Sequence, residues 1–327
     1  MRIINRLAVL PILLTLTNTF ALADDWPQWR GPDRDGKSSE SGLLDSWPAA
    51  GPKLLWQTDD LGDGYSTPSA ADGIAYLICN KSLAAEEVIA LSLSDGSQLW
   101  STKIGPVGKN QGPQYPGTRS TPTIDGDKVY ALGSDGDLAC LDAKSGSIRW
   151  SKNLRSEFGG KPGKWAYAES PLIDGDALIC SPGGSEATVV ALNKFDGEPI
   201  WKAPLAEADD AGFSSPVVAT IAGTKQYVLF LSKGVVGLNA ETGELLWRYT
   251  STSDKDANVQ TPVVRGNLVY TGASRVGGGL VRISAGDFEP EEVYFGPTMP
   301  SGMGGNILLD GLLFGTSGPT QICIEFE

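Results

Sequence analysis

A tryptophan that returns at a nearly constant spacing is the feature that most limits how this chain can fold. Trp56, Trp100, Trp150, Trp201 and Trp247 follow one another at intervals of roughly 45 to 50 residues, a period typical of repeat architectures. Four of them close the segments SDGSQLW, KSGSIRW, FDGEPIW and ETGELLW, in which a glycine turn precedes a short apolar strand. The chain is therefore predicted to consist of copies of one supersecondary unit.

The other half of each unit repeats as well. A Thr-Pro or Ser-Pro pair opens a strand, a turn follows, and a second strand comes after it, most clearly in STPTIDGDKVYALG from Ser120. Asp-Gly between alternating apolar segments is a strong hairpin signal, because glycine adopts the positive φ that tight turns require. Four short antiparallel strands per unit predict an all-β fold, a β-propeller with five complete four-stranded blades and a partial sixth.

The N-terminus has the pattern of a secretory signal peptide. Arg2 and Arg6 precede an apolar stretch, and the Ala-Leu-Ala triplet ending at Ala23 predicts cleavage before Asp24. The apolar stretch is shorter than a membrane span needs. We predict a signal peptide over 1–23, an extended arm rich in Trp and Pro over 24–52, and a propeller over 53–327, in the periplasm or outside the cell and with no transmembrane segment after cleavage.

Composition removes several functional classes. The chain has no histidine, which excludes Ser-His-Asp and Cys-His catalysis, His-ligated zinc and c-type haem attachment. Its formal charge of −13 repels phosphate backbones and argues against nucleic-acid binding. Cys79, Cys140, Cys180 and Cys323 are scattered in apolar strand segments, where buried free thiols are expected although secretion permits disulfides.

These repeats resemble the PQQ-like repeat β-propellers, whose blades close with a D/T-G-x-x-x-W motif. That family includes the scaffold lipoprotein of the outer-membrane β-barrel assembly machinery and, more distantly, the quinoprotein alcohol dehydrogenases. The arm sequence WPQWRGPDRDG is similar to that of a secreted bacterial subgroup. The resemblance implies that Trp100, Trp150, Trp201 and Trp247 pack between neighbouring blades. In the fifth unit Tyr294 or Phe295 stands where tryptophan is expected.

A candidate ligand site lies where the first strand of each blade reaches the central channel. Residues next to the Thr/Ser-Pro pairs should line one mouth of that channel, and a mixture of charged, amide and aromatic side chains suits a polar ligand with a flat or sugar-like face. The predicted set is Tyr65, Arg119, Tyr167, Glu169, Phe213, Asn258, Gln260 and Asn306, with Met303 beside it. Arg119 would favour a carboxylate or phosphate group through its planar guanidinium.

Enzymatic alternatives depend on the resemblance or on single residues. A quinoprotein dehydrogenase would bind PQQ with Ca²⁺ through carboxylate and amide ligands, and would carry a vicinal Cys-Cys disulfide, which this sequence lacks. A carboxylate-based hydrolase would need Glu169 and a second acid across the channel. Asp33 and Asp35 resemble part of a Ca²⁺ loop, but the later ligand positions do not fit, so an Asp-rich turn is favoured.

The end of the repeat series leaves two architectures open. The chain stops before the fourth strand of the sixth unit, while Leu54 to Trp56 reads as a fourth strand with no blade before it. These residues could join Thr320 to Phe326 and close a six-blade ring, or the chain could form an open arc of a truncated propeller. We favour the arc, because closure at six would change every blade interface, and we expect the exposed last strand to promote aggregation.

The sequence thus predicts a secreted, non-catalytic binding or scaffold propeller that acts through its channel mouth or blade faces. Its expected partner is a protein, a peptide or a glycan, and no cofactor or metal ion is expected. The alternative is a PQQ-dependent oxidoreductase. Trp26, Trp29 and Trp47 of the arm are expected to dock on the propeller, with carbohydrate binding as the alternative.

Overall fold

The computed structural model describes residues 24–109 and 117–327, so the predicted signal peptide lies outside the described residues. Six antiparallel sheets follow one another along the chain, five with four strands and one with three. Strands pair only with their sequence neighbours in each sheet, as in propeller blades. The predicted all-β propeller, with five complete blades and a partial sixth, is confirmed.

Each of the first three blades has strands in the order of the chain. Their bounds are β1 (Ser69–Ala71), β2 (Ile74–Lys81), β3 (Ala85–Ser92) and β4 (Gln98–Gly105) in blade 1, β5 (Thr123–Asp125), β6 (Lys128–Leu132), β7 (Asp137–Asp142) and β8 (Ile148–Asn153) in blade 2, and β9 (Leu172–Asp174), β10 (Ala177–Cys180), β11 (Val189–Asn193) and β12 (Pro199–Ala203) in blade 3. A helix, α1 (Leu154–Phe158), follows β8. No helix in the described part of the chain is long and apolar enough to cross a membrane.

The last three blades continue the same pattern. Their strands are β13 (Val217–Ile221), β14 (Thr224–Leu231), β15 (Gly234–Asn239) and β16 (Leu245–Tyr249) in blade 4, β17 (Val263–Arg265), β18 (Leu268–Ala273), β19 (Gly277–Ile283) and β20 (Pro290–Gly296) in blade 5, and β21 (Ile307–Leu309), β22 (Leu312–Ser317) and β23 (Thr320–Glu325) in blade 6. Asp72-Gly73 and Asp310-Gly311 form two-residue hairpin loops with both residues at positive φ, as a type I′ turn requires.

The core lies between successive blades. We call the face of a sheet that packs on the next blade its leading face, and the face that packs on the preceding blade its trailing face. Tyr130 and Leu138 of blade 2, for example, pack against Leu178 and Val190 of blade 3 in one buried cluster. Apolar residues therefore occupy both faces of the inner strands, which explains why these strands contain continuous apolar segments.

A tryptophan and a glycine connect neighbouring blades. The indole of Trp100 lies over Gly146 of blade 2, and its Nε1 donates a hydrogen bond of 3.0 Å to the carbonyl of Ala143. Trp150 packs in the same way over Gly197 of blade 3. A Cβ at Gly146 would lie 2.6 Å from the indole, so this glycine is required both for its positive φ and for the space it leaves.

The same contact recurs along the series, with variations near its end. Trp201 lies over Gly243 of blade 4, whereas Trp247 donates to Gln226 of its own blade at 2.6 Å. In blade 5 the aromatic position is taken by Tyr294, whose ring lies 6.3 Å from that of Tyr270, while Phe295 is exposed. Aromatic packing is thus maintained where tryptophan is absent.

The two ends of the series differ. Trp56 lies over Gly96 of blade 1 and donates to the carbonyl of Leu93 at 2.7 Å, so it occupies the place of a preceding blade's tryptophan. Leu54 and Leu55 beside it are exposed. Among the described strands β23 pairs only with β22. Residues 54–56 therefore do not form a fourth strand on blade 6 in this structure.

The burial of the four cysteines depends on whether a neighbouring segment or blade covers the strand that carries them. Cys79, Cys140 and Cys180 are buried free thiols, whereas Cys323 is free and exposed. Cys323 lies opposite Phe314 on the leading face of blade 6, where no further blade packs among the described residues. The expectation of a buried thiol is thus wrong for Cys323, because burial in a propeller strand requires a neighbouring sheet.

Candidate functional site

The N-terminal arm crosses the centre of the propeller and contacts all six blades. Its contacts reach the first strand of each blade, or one of the two residues just before that strand. Trp26 pairs with Ala70 through two backbone hydrogen bonds, and the Pro27 carbonyl accepts from the amide of Ile124 at 2.8 Å. The arm thus begins its course against blades 1 and 2.

Arg34 of the arm contacts blades 3 and 4 in the same central region. Its guanidinium is buried and donates to the carbonyls of Ser170, Pro171 and Pro216. Burial lowers the pKa of Arg34 to about 9, an effect that the charge of Glu169 partly opposes. A guanidinium presents several donors in a rigid fork, so a single side chain can bind carbonyls from two blades.

Trp29 and Arg30 extend the arm to the last two blades. The Trp29 Nε1 donates to Thr261 Oγ1 at 2.9 Å, and the Arg30 guanidinium donates to the Asn306 carbonyl. Trp47, in contrast, is 69% exposed, so the expectation that it docks on the propeller is wrong. The Thr/Ser-Pro pairs of the repeats therefore surround the arm, which supplies hydrogen bonds at the centre of the propeller.

A cavity of about 480 Å³ lies at the channel mouth, and every blade contributes to its wall. Trp29 of the arm belongs to the lining. The residues that line this channel-mouth cavity are Trp29, Tyr65, Arg119, Trp165, Ala168, Ser170, Phe213, Ser215, Ala257, Val259 and Met303. Its volume lies within the range of about 300 to 1,000 Å³ that is typical of small-ligand sites.

Of the residues predicted from sequence, Tyr65, Arg119, Phe213 and Met303 line the cavity. The Arg119 guanidinium lies 5.4 Å from the centre of the Tyr65 ring and donates to the carbonyls of Gly117 and Trp165. Partial burial lowers the pKa of Arg119. The residues before blades 1, 2, 4 and 6 thus meet at one opening.

The other five predicted residues lie behind the cavity wall and are at least 98% buried. They are Tyr167, Glu169, Asn258, Gln260 and Asn306. Successive side chains of an extended segment point to opposite sides. In blade 5 the segment directs Ala257 and Val259 to the cavity, and its amides point away from it. In blades 3 and 5 the residues that line the cavity therefore alternate with the predicted ones, and they are Ala168, Ser170, Ala257 and Val259.

The polar side chains behind the wall are hydrogen-bonded within the protein. Glu169 accepts from the backbone amide and the hydroxyl of Ser181, and Asn258 donates to the Leu231 carbonyl at 2.6 Å. Gln260 and Asn306 join through a hydrogen bond of 2.9 Å. Burial raises the pKa of Glu169 to about 7, although the bonds from Ser181 and the charge of Arg34 oppose the shift.

Trp165 is the main lining residue that the sequence interpretation missed. Its ring lies 5.4 Å from that of Phe213, at an interplanar angle of 57°. A signal was available, since Trp165 lies outside the spacing of the repeat and has no role in closing a blade. A tryptophan that interrupts a regular repeat is thus a candidate for a site.

The donor set of the cavity does not fit PQQ with Ca²⁺. Its described lining contains one cation and no carboxylate or amide side chain, and the oxygen donors are the hydroxyls of Tyr65, Ser170 and Ser215. Across the described ranges no group of three or more Cys, Asp or Glu side chains is placed to hold a metal ion. Hard cations such as Ca²⁺ require several carboxylate or carbonyl oxygens.

Comparison with known proteins identifies related chains. The family profile described as outer membrane protein assembly factor BamB matches residues 38–160 and 84–327. The assembly factor BamB of Xanthomonas campestris pv. campestris is 31% identical over 107 residues, which are 32% of this chain and 25% of the relative. The quinone alcohol dehydrogenase subunit of Komagataeibacter europaeus is 30% identical over 170 residues, 46% of this chain and 21% of the relative.

A solved structure supports the same architecture. The crystal structure of BamB from Moraxella catarrhalis superposes with a TM-score of 0.59 at 15% identity, and the match covers 85% of this chain and 76% of that one. At this identity the likeness concerns the fold. The sequence matches span a quarter or less of the two curated relatives described above.

Proposed function

Because the chain belongs to the family of outer membrane protein assembly factor BamB, we propose that it is a non-catalytic scaffold propeller that holds a polypeptide partner outside the cytoplasm. The family profile extends over 38–327 and so includes every blade. Relatives named as assembly factors for outer membrane proteins support a polypeptide as the partner and the periplasm as the compartment. The signal-like N-terminus agrees with this location.

The observation that carries the proposal is the channel-mouth cavity, which is built by all six blades and the arm and has no carboxylate among its described lining side chains. The chain has no histidine, and Glu169, which lies in sequence between the lining residues Ala168 and Ser170, is buried behind the wall. General acid-base catalysis needs a titratable group within hydrogen-bond reach of the substrate. A concave aromatic surface without a carboxylate or a histidine in its described lining favours binding over turnover.

We propose that Tyr65, Arg119, Phe213 and Met303 contact the partner. The buried residues Tyr167, Glu169, Asn258, Gln260 and Asn306 support the wall from behind through their hydrogen bonds. Glycan binding and PQQ-dependent oxidation are the competing functions. The amide and carboxylate side chains that could bind sugar hydroxyl groups lie behind the wall, and carboxylate and amide ligands for PQQ with Ca²⁺ are absent from the described lining.

Photo-cross-linking in the exported protein tests the scaffold function. A photoreactive residue replaces Met303, which is 73% exposed at the cavity, and in a control it replaces the exposed Glu291 at the outer edge of blade 5. Adducts with exported polypeptides from position 303, and not from position 291, are expected. Absence of polypeptide adducts from both positions and from further blade-face positions would contradict the proposal.

A cofactor assay tests the alternative. The purified protein is incubated with PQQ and Ca²⁺ and is examined for stoichiometric quinone absorbance and for dye-linked alcohol oxidation. We expect neither. Stoichiometric binding of PQQ together with turnover would contradict the non-catalytic function. Weak binding of PQQ without turnover would agree with the non-catalytic function.

A further inference from the structure

The channel-mouth cavity has a shape that the fold holds in place. Trp29 reaches it from the arm and is held by its hydrogen bond to Thr261, and Trp165 and Phe213 pack against each other at 5.4 Å. Trp29, Trp165 and Phe213 are each partly buried, so their rings are fixed by packing as well as open to the cavity. A preformed aromatic surface loses little conformational entropy when a ligand binds.

The chemistry of the wall selects an apolar group. Apart from Arg119 and three hydroxyl groups, the lining side chains are aromatic or aliphatic. The amides and the carboxylate of the same segments are already hydrogen-bonded behind the wall, as with Glu169 and Ser181. A sugar would leave many hydroxyl groups without partners here, and unpaired buried polar groups are unfavourable. An aromatic ring would find edge and face contacts with Trp165 and Phe213.

The charge of the wall selects an anion. Arg119 is the cation of the described lining, and no acidic side chain belongs to that lining. Lys164 lies 5.4 Å from the Trp165 ring nearby, but it pairs with Asp256 at 3.6 Å and adds little net charge. The described lining thus offers an anion one guanidinium and no carboxylate, while the buried carboxylate of Glu86, hydrogen-bonded to Ser134, acts on Arg119 from outside that lining. Low polarity strengthens the attraction of such a cation for an anion.

From these observations we infer that the channel-mouth cavity binds an aromatic side chain of a polypeptide that has an acidic residue next to it. The inference rests on the proposed scaffold function and names the element of the partner that the site recognises. The ring packs against the exposed side of the Trp165–Phe213 pair and against Trp29, and the carboxylate faces Arg119. The acidic-aromatic pair gives the scaffold selectivity, because an apolar segment with basic neighbours is repelled.

The aromatic anion 8-anilinonaphthalene-1-sulfonate is a direct probe, since its fluorescence rises in apolar sites. We expect saturable binding that Phe213→Ala weakens about tenfold or more, a loss of about 1.4 kcal/mol. Phe195→Ala is the matched control, because Phe195 is 52% exposed at an outer turn of blade 3. Equal effects of the two substitutions, or unchanged binding in Phe213→Ala, would overturn the inference.

A second variant guards against loss of folding. Val259→Trp fills the cavity without removing a wall group, so it should abolish probe binding while the thermal unfolding midpoint is retained. Probe binding that persists in a folded Val259→Trp protein would overturn the assignment of the site. If Phe213→Ala does not fold, this variant alone decides the outcome.

Charge selectivity is tested with a neutral analogue of the probe. Arg119→Gln should weaken the sulfonate about fivefold to tenfold and leave N-phenyl-1-naphthylamine unchanged, because only the anion gains from the guanidinium. Arg282→Gln is the control, since Arg282 is exposed on blade 5. Equal weakening of both dyes by Arg119→Gln would show that Arg119 shapes the wall and would overturn its role with the anion.

Competition identifies the source of the ligand. A peptide with phenylalanine between aspartates should displace the sulfonate, and peptides with alanine in place of phenylalanine, or lysines in place of the aspartates, should not. Displacement by laurate and not by the acidic-aromatic peptide would assign the site to a lipid and overturn the inference. If polypeptide cross-links at position 303 are still formed when laurate is the ligand, the scaffold function stands and only the inference about the ligand fails. If the acidic-aromatic peptide binds but no polypeptide cross-links form in the exported protein, only the scaffold function fails.

Discussion

The trailing face of blade 1 and the leading face of blade 6 are built from the same repeat but have different surroundings. On blade 1, Cys79, Ile89 and Leu91 are buried beneath Leu61, and Trp56 lies over the glycine turn. On blade 6 the apolar side chains of the leading face are 36–49% exposed, and they are Ile307, Leu309, Leu312 and Phe314. The segment over 56–64 thus covers one end, and no described segment covers the other.

This difference shows that burial in a propeller depends on the neighbouring blade. Phe230 of β14 and Phe314 of β22 both lie on the leading face of their blade, yet Phe230 is fully buried against blade 5 and Phe314 is 42% exposed. The hydrophobic effect depends on the apolar area removed from water. An apolar strand residue therefore stabilises the fold only when the next sheet covers it.

The sharpest test compares these two phenylalanines. Phe230→Ala should lower the free energy of unfolding by ~3–5 kcal/mol, because a buried aromatic leaves a cavity. Phe314→Ala should lower it by less than ~1 kcal/mol, since its side chain already contacts water. Denaturant unfolding monitored by tryptophan fluorescence gives both values. Similar losses at the two positions would show that the leading face of blade 6 is covered in solution.

The tryptophans sharpen the comparison at the other end. Trp150→Ala should cost ~3 kcal/mol, because the indole fills the space over Gly197 between two complete blades. Trp56→Ala should cost ~1 kcal/mol, since Trp56 meets blade 1 from an extended segment whose neighbours Leu54 and Leu55 are exposed. Thermal unfolding of both variants measures the difference. A larger loss for Trp56 would mean that residues 54–56 complete a blade.

The buried carboxyl group of Glu169, at the centre of the propeller, should make the free energy of unfolding depend on pH. Burial raises the pKa of Glu169 to about 7 from an ordinary value of 4.5, so the folded state keeps a proton that the unfolded state releases between these values. Stability contributed by this group is therefore fully present below pH 4.5 and is lost as pH rises through about 7, on the order of 3 kcal/mol.

Replacing the carboxyl group tests this sign. Glu169→Gln should flatten the fall in unfolding free energy across that window. Glu86, whose pKa burial raises to about 6, leaves a smaller slope of the same sign. Denaturant midpoints measured at intervals across the window give the slopes. A stability that rises with pH in the unsubstituted protein would contradict the raised pKa.

The smallest expected effect on stability concerns the exposed leading face itself. Phe314→Lys should change the free energy of unfolding by no more than ~0.5 kcal/mol, because the side chain is in contact with water. It should reduce self-association, since the exposed apolar side chains and the unpaired edge of β23 form an interaction-prone surface. Light scattering measures this, with Phe195→Lys as the control. A marked loss of stability would mean that Phe314 is buried in solution.

Much of the fold was predictable because its signals are local. The Trp period, the Asp-Gly turns and the incomplete sixth unit predicted the blades and their number, and the family profile and the six sheets confirm that prediction. The course of the arm through the centre was not predictable. Its contacts join residues separated by up to about 280 positions, as with Arg30 and Asn306, and no local pattern encodes such pairs.

The candidate site was predictable only in part, for a geometric reason. The sequence marks which segments reach the channel, because they adjoin the Thr/Ser-Pro pairs. The sequence does not mark which side of each segment faces the cavity. If the segment before blade 5 were shifted by one residue, Asn258 and Gln260 would line the cavity in place of Ala257 and Val259. Both alternatives are compatible with an extended chain.

The amino-acid sequence alone thus specifies the blades, since hairpins, glycine turns and closing aromatics act within about 45 residues of one another. The tertiary structure decides which side chains line the cavity and which are buried behind its wall. Arg34 shows the reason, because its guanidinium binds carbonyls of blades 3 and 4 that become neighbours only when the blades pack around the arm. Long-range packing removes water from such groups, and the loss of water determines their roles.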